Sequence, residues 1–86
     1  MKYLHEEFDC AGGETVRVDL NKQANVRLLD DNNYRHFRSG GRYRCGGGLA
    51  KTTPVLLTVP NAGRWHVVVD LGGYAGSVRA SITLLN

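Results

Sequence analysis

Apolar and polar residues alternate along most of this 86-residue chain, in short runs that turn residues separate. Alternation with a period of two puts successive side chains on opposite faces of a β-strand, so each run predicts a half-buried strand. Seven or eight short strands at this spacing are typical of an all-β protein. We predict one compact antiparallel β-sandwich, jelly-roll-like, over residues 1–86. The runs predicted as strands cover residues 3–8, 15–20, 25–29, 42–45, 54–59, 64–71 and 77–84.

Polar and glycine-rich segments interrupt these runs. Asp30–Asn33 favours side-chain turns and helix N-caps, and a helical turn is predicted over Tyr34–Phe37, ended by the glycines that follow. Asn61–Gly63 is predicted as a hairpin turn between its two neighbouring strands. The glycines of 46–48 and 72–76 are predicted as tight turns that need a positive φ.

Chain length and the N-terminal residues limit the kind of protein. An 86-residue domain buries about 60–65% of its unfolded surface, so we expect a ligand to bind on a face, between loops or at a subunit interface. No apolar run approaches the roughly 20 residues needed to span a bilayer, and MKYLHEEFD is acidic where a secretory signal is apolar. We therefore expect a cytoplasmic protein without membrane contact, in which Cys10 and Cys45 are reduced thiols.

The net charge of +3 hides an asymmetry along the chain. Residues 1–31 carry four basic and seven acidic side chains, whereas residues 32–86 carry seven basic side chains against Asp70 alone. Eight of the eleven basic residues are arginines, whose planar guanidinium suits phosphate and carboxylate groups. An acidic end and a basic end on one small domain favour a protein partner or a homo-oligomer.

The segment Tyr34–Arg44 is the first candidate site, because basic and aromatic side chains surround two glycines there. Its arginines suit a clamp for phosphate groups, and Tyr34 or Tyr43 suits stacking on a base. The alternative is a structural role, in which the arginines form ion pairs and the aromatic rings cap one end of the sandwich. The acidic residues considered as partners are Asp30, Asp31 and Glu14.

A second candidate is the face of strand 64–71 that carries Arg64 and His66. Arg79 is expected on the adjacent strand of the same hairpin, which would give a basic face for an anionic partner. The alternative is a solvated face with cross-strand pairs such as Arg79 with Asp70 or Asp19. Three further charged side chains are predicted to point outward on other strands: Arg17, Asp19 and Arg27.

Tyr74 is a further contact candidate, because it stands at the tip of a glycine-rich turn where an aromatic residue has no core to fill. Phe37 and Trp65 are expected in the core. The predicted ligand-binding residues are therefore Tyr34, Arg35, His36, Arg38, Arg42, Tyr43, Arg44, His66, Tyr74 and Arg79.

The sequence offers no pattern that predicts catalysis. It has no nucleophile–base pair and no paired carboxylates in an apolar setting. No Cys-x-x-Cys or His-x-x-x-His spacing is present, and His5, His36 and His66 are scattered. We predict a protein that is not an enzyme and that uses no cofactor or metal.

Two stretches of the sequence carry a resemblance to a known family. They run from Val26 to Asp31 and from Pro54 to Ser81, and the second contains the unusual string WHVVVDLGGY. With the arginine- and tyrosine-rich loop between them, they resemble a small bacterial domain family of unknown function. Members of that family occur alone or fused to Toll/interleukin-receptor-type domains. The resemblance implies a compact antiparallel β-sandwich, and it implies no activity and no functional residues.

The leading hypothesis is a non-enzymatic module that binds an anionic small molecule through the Tyr34–Arg44 loop, and a nucleotide-derived ligand is its most concrete version. The alternative is a protein-interaction or self-assembly module that uses the same loop. Non-specific nucleic-acid binding is a weaker alternative, because a charge of +3 is modest and no extended basic stripe is present.

Overall fold

The computed structural model describes residues 3–85, which form seven strands and one helix. The predicted all-β sandwich is confirmed: β1, β6, β3 and β4 form a four-stranded antiparallel sheet, and β5, β2 and β7 form a three-stranded antiparallel sheet. The elements are β1 (Leu4–Cys10), β2 (Thr15–Leu20), β3 (Ala24–Asp30), α1 (Asp31–Ser39), β4 (Gly46–Ala50), β5 (Val55–Thr58), β6 (Gly63–Asp70) and β7 (Ala80–Leu85). No helix in residues 3–85 has the length and apolar character to cross a membrane.

The strand pairing is nested. β3 pairs with β4, β2 with β5 and β1 with β6, and these pairs alternate between the two sheets. A long hairpin rolled into two layers has this arrangement, which is the basis of a jelly roll. β7 lies outside the nest and pairs with β2.

The core lies between the sheets and follows from the alternation in the strands. Val16 and Val18 of β2 are fully buried, while Arg17 between them is exposed. Val67 and Val69 of β6 face them from the other sheet and are fully buried as well. Each such side chain contributes about 1.5–3 kcal/mol to folding by leaving water.

The prediction for residues 42–48 was wrong. The strand there does not cover residues 42–45 but begins at Gly46 and contains the three glycines that were predicted as a tight turn. Gly47 has a φ of 85°, and a Cβ on it would collide with the carbonyl oxygen of Val26 on the paired strand. β4 therefore lies closer to β3 than any strand with a side chain at Gly47 would.

Two predicted hairpins are also wrong. Asn61–Gly63 joins β5 to β6, which belong to different sheets, so this segment crosses between the layers. β6 and β7 likewise belong to different sheets. Arg79, which precedes β7, therefore does not share a face with Arg64 and His66, and the basic face predicted from these three residues is not formed.

Candidate functional site

The outer face of the four-stranded sheet is polar, and helix α1 covers its centre. Arg64, His66, Val68 and Asp70 alternate on this face of β6, as predicted. α1 packs Tyr34 and Phe37, which are three residues apart and thus on one side of the helix, over Leu29 and Val68 of the sheet. Four buried side chains thereby form a second small core outside the sandwich: Leu29, Tyr34, Phe37 and Val68.

Local sequence sets both ends of α1, which is longer than the predicted turn. The Asp30 carboxylate accepts a hydrogen bond from the Asn33 amide at 2.7 Å and caps the N-terminus. Gly40 ends the helix in the left-handed conformation, with a φ of 82°, and its amide donates to the helix carbonyls. The Asn33 side chain also accepts from the Arg44 amide at 2.8 Å, which ties the following segment back to the helix.

Five side chains between α1, β1 and β6 form one hydrogen-bonded group, which we call the histidine–tyrosine cluster. His66 Nε2 lies 2.9 Å from Asp31 Oδ1, and His66 Nδ1 lies 2.8 Å from His5 Nε2. His5 Nδ1 lies 3.4 Å from the Tyr34 hydroxyl, which lies 3.0 Å from the Tyr3 hydroxyl. The Tyr34 ring stacks on both imidazoles, with centroid distances of 4.2 Å to His66 and 4.4 Å to His5.

The Asp31 carboxylate can only accept hydrogen bonds, and this fixes which atom donates in each hydrogen bond of the cluster. The Asp31 carboxylate accepts, so His66 Nε2 carries the hydrogen and donates. With both imidazoles neutral, His66 Nδ1 accepts from His5 Nε2–H, His5 Nδ1 accepts from the Tyr34 hydroxyl, and Tyr34 accepts from Tyr3. Every member has a partner in this arrangement, so the cluster closes the helix onto the sheet without an unpaired buried polar atom.

Burial and these hydrogen bonds shift three ionisation equilibria. Burial, and next the neighbouring His66, lower the pKa of His5 from its usual 6.5, so the neutral imidazole is favoured. The hydrogen bond from His66 lowers the pKa of Asp31, which favours the carboxylate. Burial, and next the hydrogen bond with Tyr3, raise the pKa of Tyr34 to about 12. All three shifts favour the protonation states that the donor assignment requires.

A second polar group fixes the sheet beside this cluster. The Asp70 carboxylate is 1% exposed, forms an ion pair with Arg27 and accepts from Asn25 Nδ2 at 3.1 Å and from the Gly72 amide at 2.7 Å. The Arg27 guanidinium also lies over the Phe37 ring, 5.5 Å from its centroid. Asp70 and Arg27 therefore hold each other, and Arg27 is not available to an outside ligand.

The basic residues of the Tyr34–Arg44 loop fall into two groups. Arg35 forms an i,i+4 ion pair with Asp31 at 3.0 Å, as the structural alternative predicted. Arg38, Arg42 and Arg44 are exposed, and none of them forms an ion pair within residues 3–85. We call the stretch that carries these three arginines, residues 38–44, the cationic segment.

Aromatic side chains contact two residues of the cationic segment. The Arg38 guanidinium lies 5.8 Å from the centroid of Tyr34. The Tyr43 and Phe37 rings pack edge to face with their centroids 5.2 Å apart, and Tyr43 is 36% exposed. His36 is exposed on the same helix. The cationic segment thus combines three arginines that form no ion pair within residues 3–85 with one partly accessible aromatic ring next to the end of α1.

The remaining predicted site residues lie elsewhere. Tyr34 and His66 are buried at 8% and 3% exposure, so they act within the histidine–tyrosine cluster and are not surface contacts. Arg79 belongs to the side of the three-stranded sheet, where its amide is bound by Asn21. Tyr74 is 85% exposed and lines a surface cleft of about 780 Å³.

That cleft borders both polar groups. Its walls include Tyr3, which ends the histidine–tyrosine cluster, and Asp70, which is held by Arg27. The other side chains of the cleft are mostly apolar and come from the start of β1, the end of β6 and the glycine-rich loop after it. Gly72 and Gly73 in this loop have the positive φ predicted for them, 65° and 89°, and the Tyr74 amide donates to the Leu71 carbonyl at 3.2 Å.

Sequence reasoning missed two members of the cluster, Tyr3 and His5. Tyr3 directly precedes β1 and His5 lies in it, and two residues at this spacing in an extended segment share a face, which the sequence indicates. What it did not indicate was the pairing of β1 with β6, which places His5 beside Val68 and Glu7 beside His66.

Comparison with known proteins assigns the chain to a family. A model of a domain of unknown function (DUF1883) matches residues 1–86, the whole chain. No curated protein and no solved structure matched. Because the match covers the whole chain, including the elements that form the histidine–tyrosine cluster and the cationic segment, the chain belongs to the DUF1883 family.

Proposed function

We propose that this protein is a non-enzymatic binding module that holds an anionic small ligand through its cationic segment. The observation that carries the proposal is the exposure of Arg38, Arg42 and Arg44 without an ion-pair partner in the part of the chain that the structure describes. An arginine that serves the fold pairs with an acid, as Arg35 does with Asp31. Arg38, Arg42 and Arg44 lie within seven residues of one another in the sequence, and a polyanion can pair with more than one such positive charge at once.

The chemistry of the segment favours a phosphate-bearing ligand with a planar ring. A guanidinium donates two parallel hydrogen bonds to phosphate or carboxylate. Tyr43, half-buried against Phe37, offers an aromatic surface beside these donors. Stacking on such a ring contributes about 1–3 kcal/mol per base in proteins that bind single strands. A nucleotide-derived molecule combines both features.

The fold supports the segment by fixing its two ends. α1 is capped at Asp30 and Gly40 and is held to the sheet by the histidine–tyrosine cluster. The hydrogen bond from the Arg44 amide to Asn33 fixes the far end. A binding surface that is already ordered loses less conformational entropy when the ligand binds.

The test is the melting temperature of the protein with nucleotides, cyclic nucleotides, ADP-ribose derivatives, sugars and inorganic polyphosphate. We expect one phosphate-bearing class to raise it by several degrees, because a ligand at 100 times its Kd adds about 2.7 kcal/mol to the free energy of unfolding. The variant Arg38→Ala/Arg42→Ala/Arg44→Ala should fold as the wild type does and lose this shift.

The matched control is Arg17→Ala/Lys22→Ala/Arg79→Ala, which removes three exposed positive charges from the side of the three-stranded sheet. It should keep the shift. Absence of a shift with every compound, or an equal loss in the control, would contradict the proposal. In the first case an acidic protein surface becomes the candidate partner of the cationic segment.

A further inference from the structure

The two edges of the four-stranded sheet carry opposite charges. β1 forms one edge and contains Glu6, Glu7 and Asp9. β4 forms the other edge; it has no charged residue of its own, and Arg42 and Arg44 lie four and two residues before its first residue, Gly46. Charge is therefore separated across the width of a single sheet.

The exposed large apolar residues of the strands also lie only on edges. β1 lies beside β7, and β4 lies beside β5, so the sandwich has two edges made of two strands each. We call them the acidic edge (β1 and β7) and the basic edge (β4 and β5). Each edge carries two leucines that are 40–60% exposed: Leu4 at 40% and Leu85 at 40% on the acidic edge, Leu49 at 57% and Leu56 at 60% on the basic edge.

Strand direction allows the sheet to continue from one copy to the next. Neighbouring strands are antiparallel throughout the order β1-β6-β3-β4, so β1 and β4 run in opposite directions. If a second copy is placed beside the first in the same orientation, its β1 lies antiparallel to β4. Antiparallel addition at an edge is a common mode of association between strands.

We propose that copies of this chain associate head to tail, with the acidic edge of one copy against the basic edge of the next. Charge complementarity selects this contact, and the exposed leucines supply its apolar surface. The like charges on each edge oppose contact between two identical edges, as charged residues on edge strands do in monomeric proteins. The inference goes beyond the anion site, because it needs no ligand and includes strands that the cationic segment does not touch.

A head-to-tail contact is heterologous, so each copy keeps one free edge of each kind until a ring closes. The average molar mass measured by light scattering should therefore rise with protein concentration above that of a dimer. It should fall when salt is raised from about 0.05 to 0.5 M, because the Debye length shortens from roughly 14 to 4 Å.

Two double variants test the geometry. Leu49→Gln/Leu56→Gln alters only the basic edge, and Leu4→Gln/Leu85→Gln alters only the acidic edge. Each variant alone should associate at least tenfold more weakly than the wild type. An equimolar mixture should form heterodimers and stop there, because one native pair of edges remains in the mixture.

Three results would overturn the proposal: a wild type that stays monomeric at several hundred micromolar, a wild-type dimer that grows no further, or a mixture that stays monomeric. A dimer that does not grow would indicate contact between two identical edges. All measurements are made without added phosphate compounds, so their outcome is independent of whether the cationic segment binds an anion.

Discussion

At the scale of single residues, two polar side chains are buried on the outer face of the four-stranded sheet. His66 and Asp70 lie on β6 at 3% and 1% exposure, where an apolar residue would be usual, and each is matched by hydrogen-bond partners from other elements. Such groups cost free energy when a partner is removed, because the remaining polar atom stays buried without a hydrogen bond. Removing a partner of His66 or of Asp70 should therefore lower the free energy of unfolding.

The pH dependence of stability should report the histidine–tyrosine cluster. Because the pKa of folded His5 lies below 6.5, the unfolded chain binds more protons just below pH 6.5. The contribution of His5 to stability is complete above pH 6.5 and is lost as pH falls through the folded pKa. Glu6, Glu7 and Arg38 act on the same imidazole together with His66. Urea unfolding from pH 8 to pH 5 should show a falling free energy of unfolding, by at most about 1.4 kcal/mol per pH unit for this proton.

His5→Gln keeps hydrogen-bonding atoms at this position and removes the titrating group. Its free energy of unfolding should depend less on pH between 5 and 6.5 than that of the wild type. His36→Gln, on the exposed side of α1, is the matched control and should keep the wild-type slope. A wild type whose stability is constant or rises as pH falls through this range would refute the assignment of a neutral His5.

The ion pair of Asp70 should contribute far more than a surface pair. Asp70→Ala leaves the Arg27 guanidinium, whose side chain is only 18% exposed, without its carboxylate and should cost about 3–5 kcal/mol. Asp19→Ala removes the carboxylate of the exposed pair with Arg17 and should cost about 1 kcal/mol or less. Urea unfolding of both variants measures the two losses in free energy of unfolding. Equal losses would show that the buried pair of Asp70 with Arg27 contributes no more than a surface pair.

At the scale of elements, two features shape the outer face: α1, which lies between β3 and its partner β4 in the nested hairpin, and β4 itself. α1 follows β3 directly, since Asp30 both ends the strand and caps the helix. β4 then returns along β3, close enough that Gly47 has no room for a side chain. The cationic segment is the link between these two elements, so its position depends on both.

Two neighbouring glycines of β4 should differ sharply in their tolerance of alanine. At Gly47 a Cβ would collide with the Val26 carbonyl and the φ is positive, so Gly47→Ala should destabilise the fold by at least about 2 kcal/mol. At Gly46 the nearest atom to a new Cβ is Leu28 Cβ at 3.8 Å, an ordinary contact, so Gly46→Ala should change stability by less than about 1 kcal/mol. Thermal unfolding compares the two, and a well-tolerated Gly47→Ala would contradict the close approach of β4 to β3.

Alternation in the sequence predicted strands well where one face is buried and the other is solvated. β2 was predicted at Thr15–Leu20 and has those bounds, because Val16 and Val18 point inward between polar neighbours. Alternation fails for β4, which has no side chains to alternate at its three glycines. It also cannot state which strands pair, so β6 and β7 were joined in a hairpin although they lie in different layers.

The candidate site was predictable in part for the same reason. Composition identified the arginines of residues 34–44, and the structure leaves three of them free of ion pairs within residues 3–85. Composition could not separate Arg35, which pairs with Asp31, because that contact depends on how far the helix extends toward its N-terminus. His5 and His66 looked scattered because 61 residues separate them in the chain, and only the β1–β6 pairing brings them together.

The whole molecule separates its charges as the sequence does. The acidic residues 1–31 supply the β1 edge and the cap of α1, and the basic residues 32–86 supply the cationic segment beside β4. A small sandwich can thus offer an anion site on one side of the helix-covered face and a complementary edge on the other. Both proposals depend on the arginines of the cationic segment, which form no ion pair within the described residues 3–85.

The most direct test of the central claim is an NMR titration of the ¹⁵N-labelled wild-type protein with inorganic pyrophosphate, the simplest anion that several guanidinium groups can share. The account predicts saturable chemical-shift changes that are largest at the amides of residues 38–44 and small on the three-stranded sheet. Changes that do not saturate, or that are largest on β2, β5 or β7, would contradict the claim that the cationic segment is an anion-binding site.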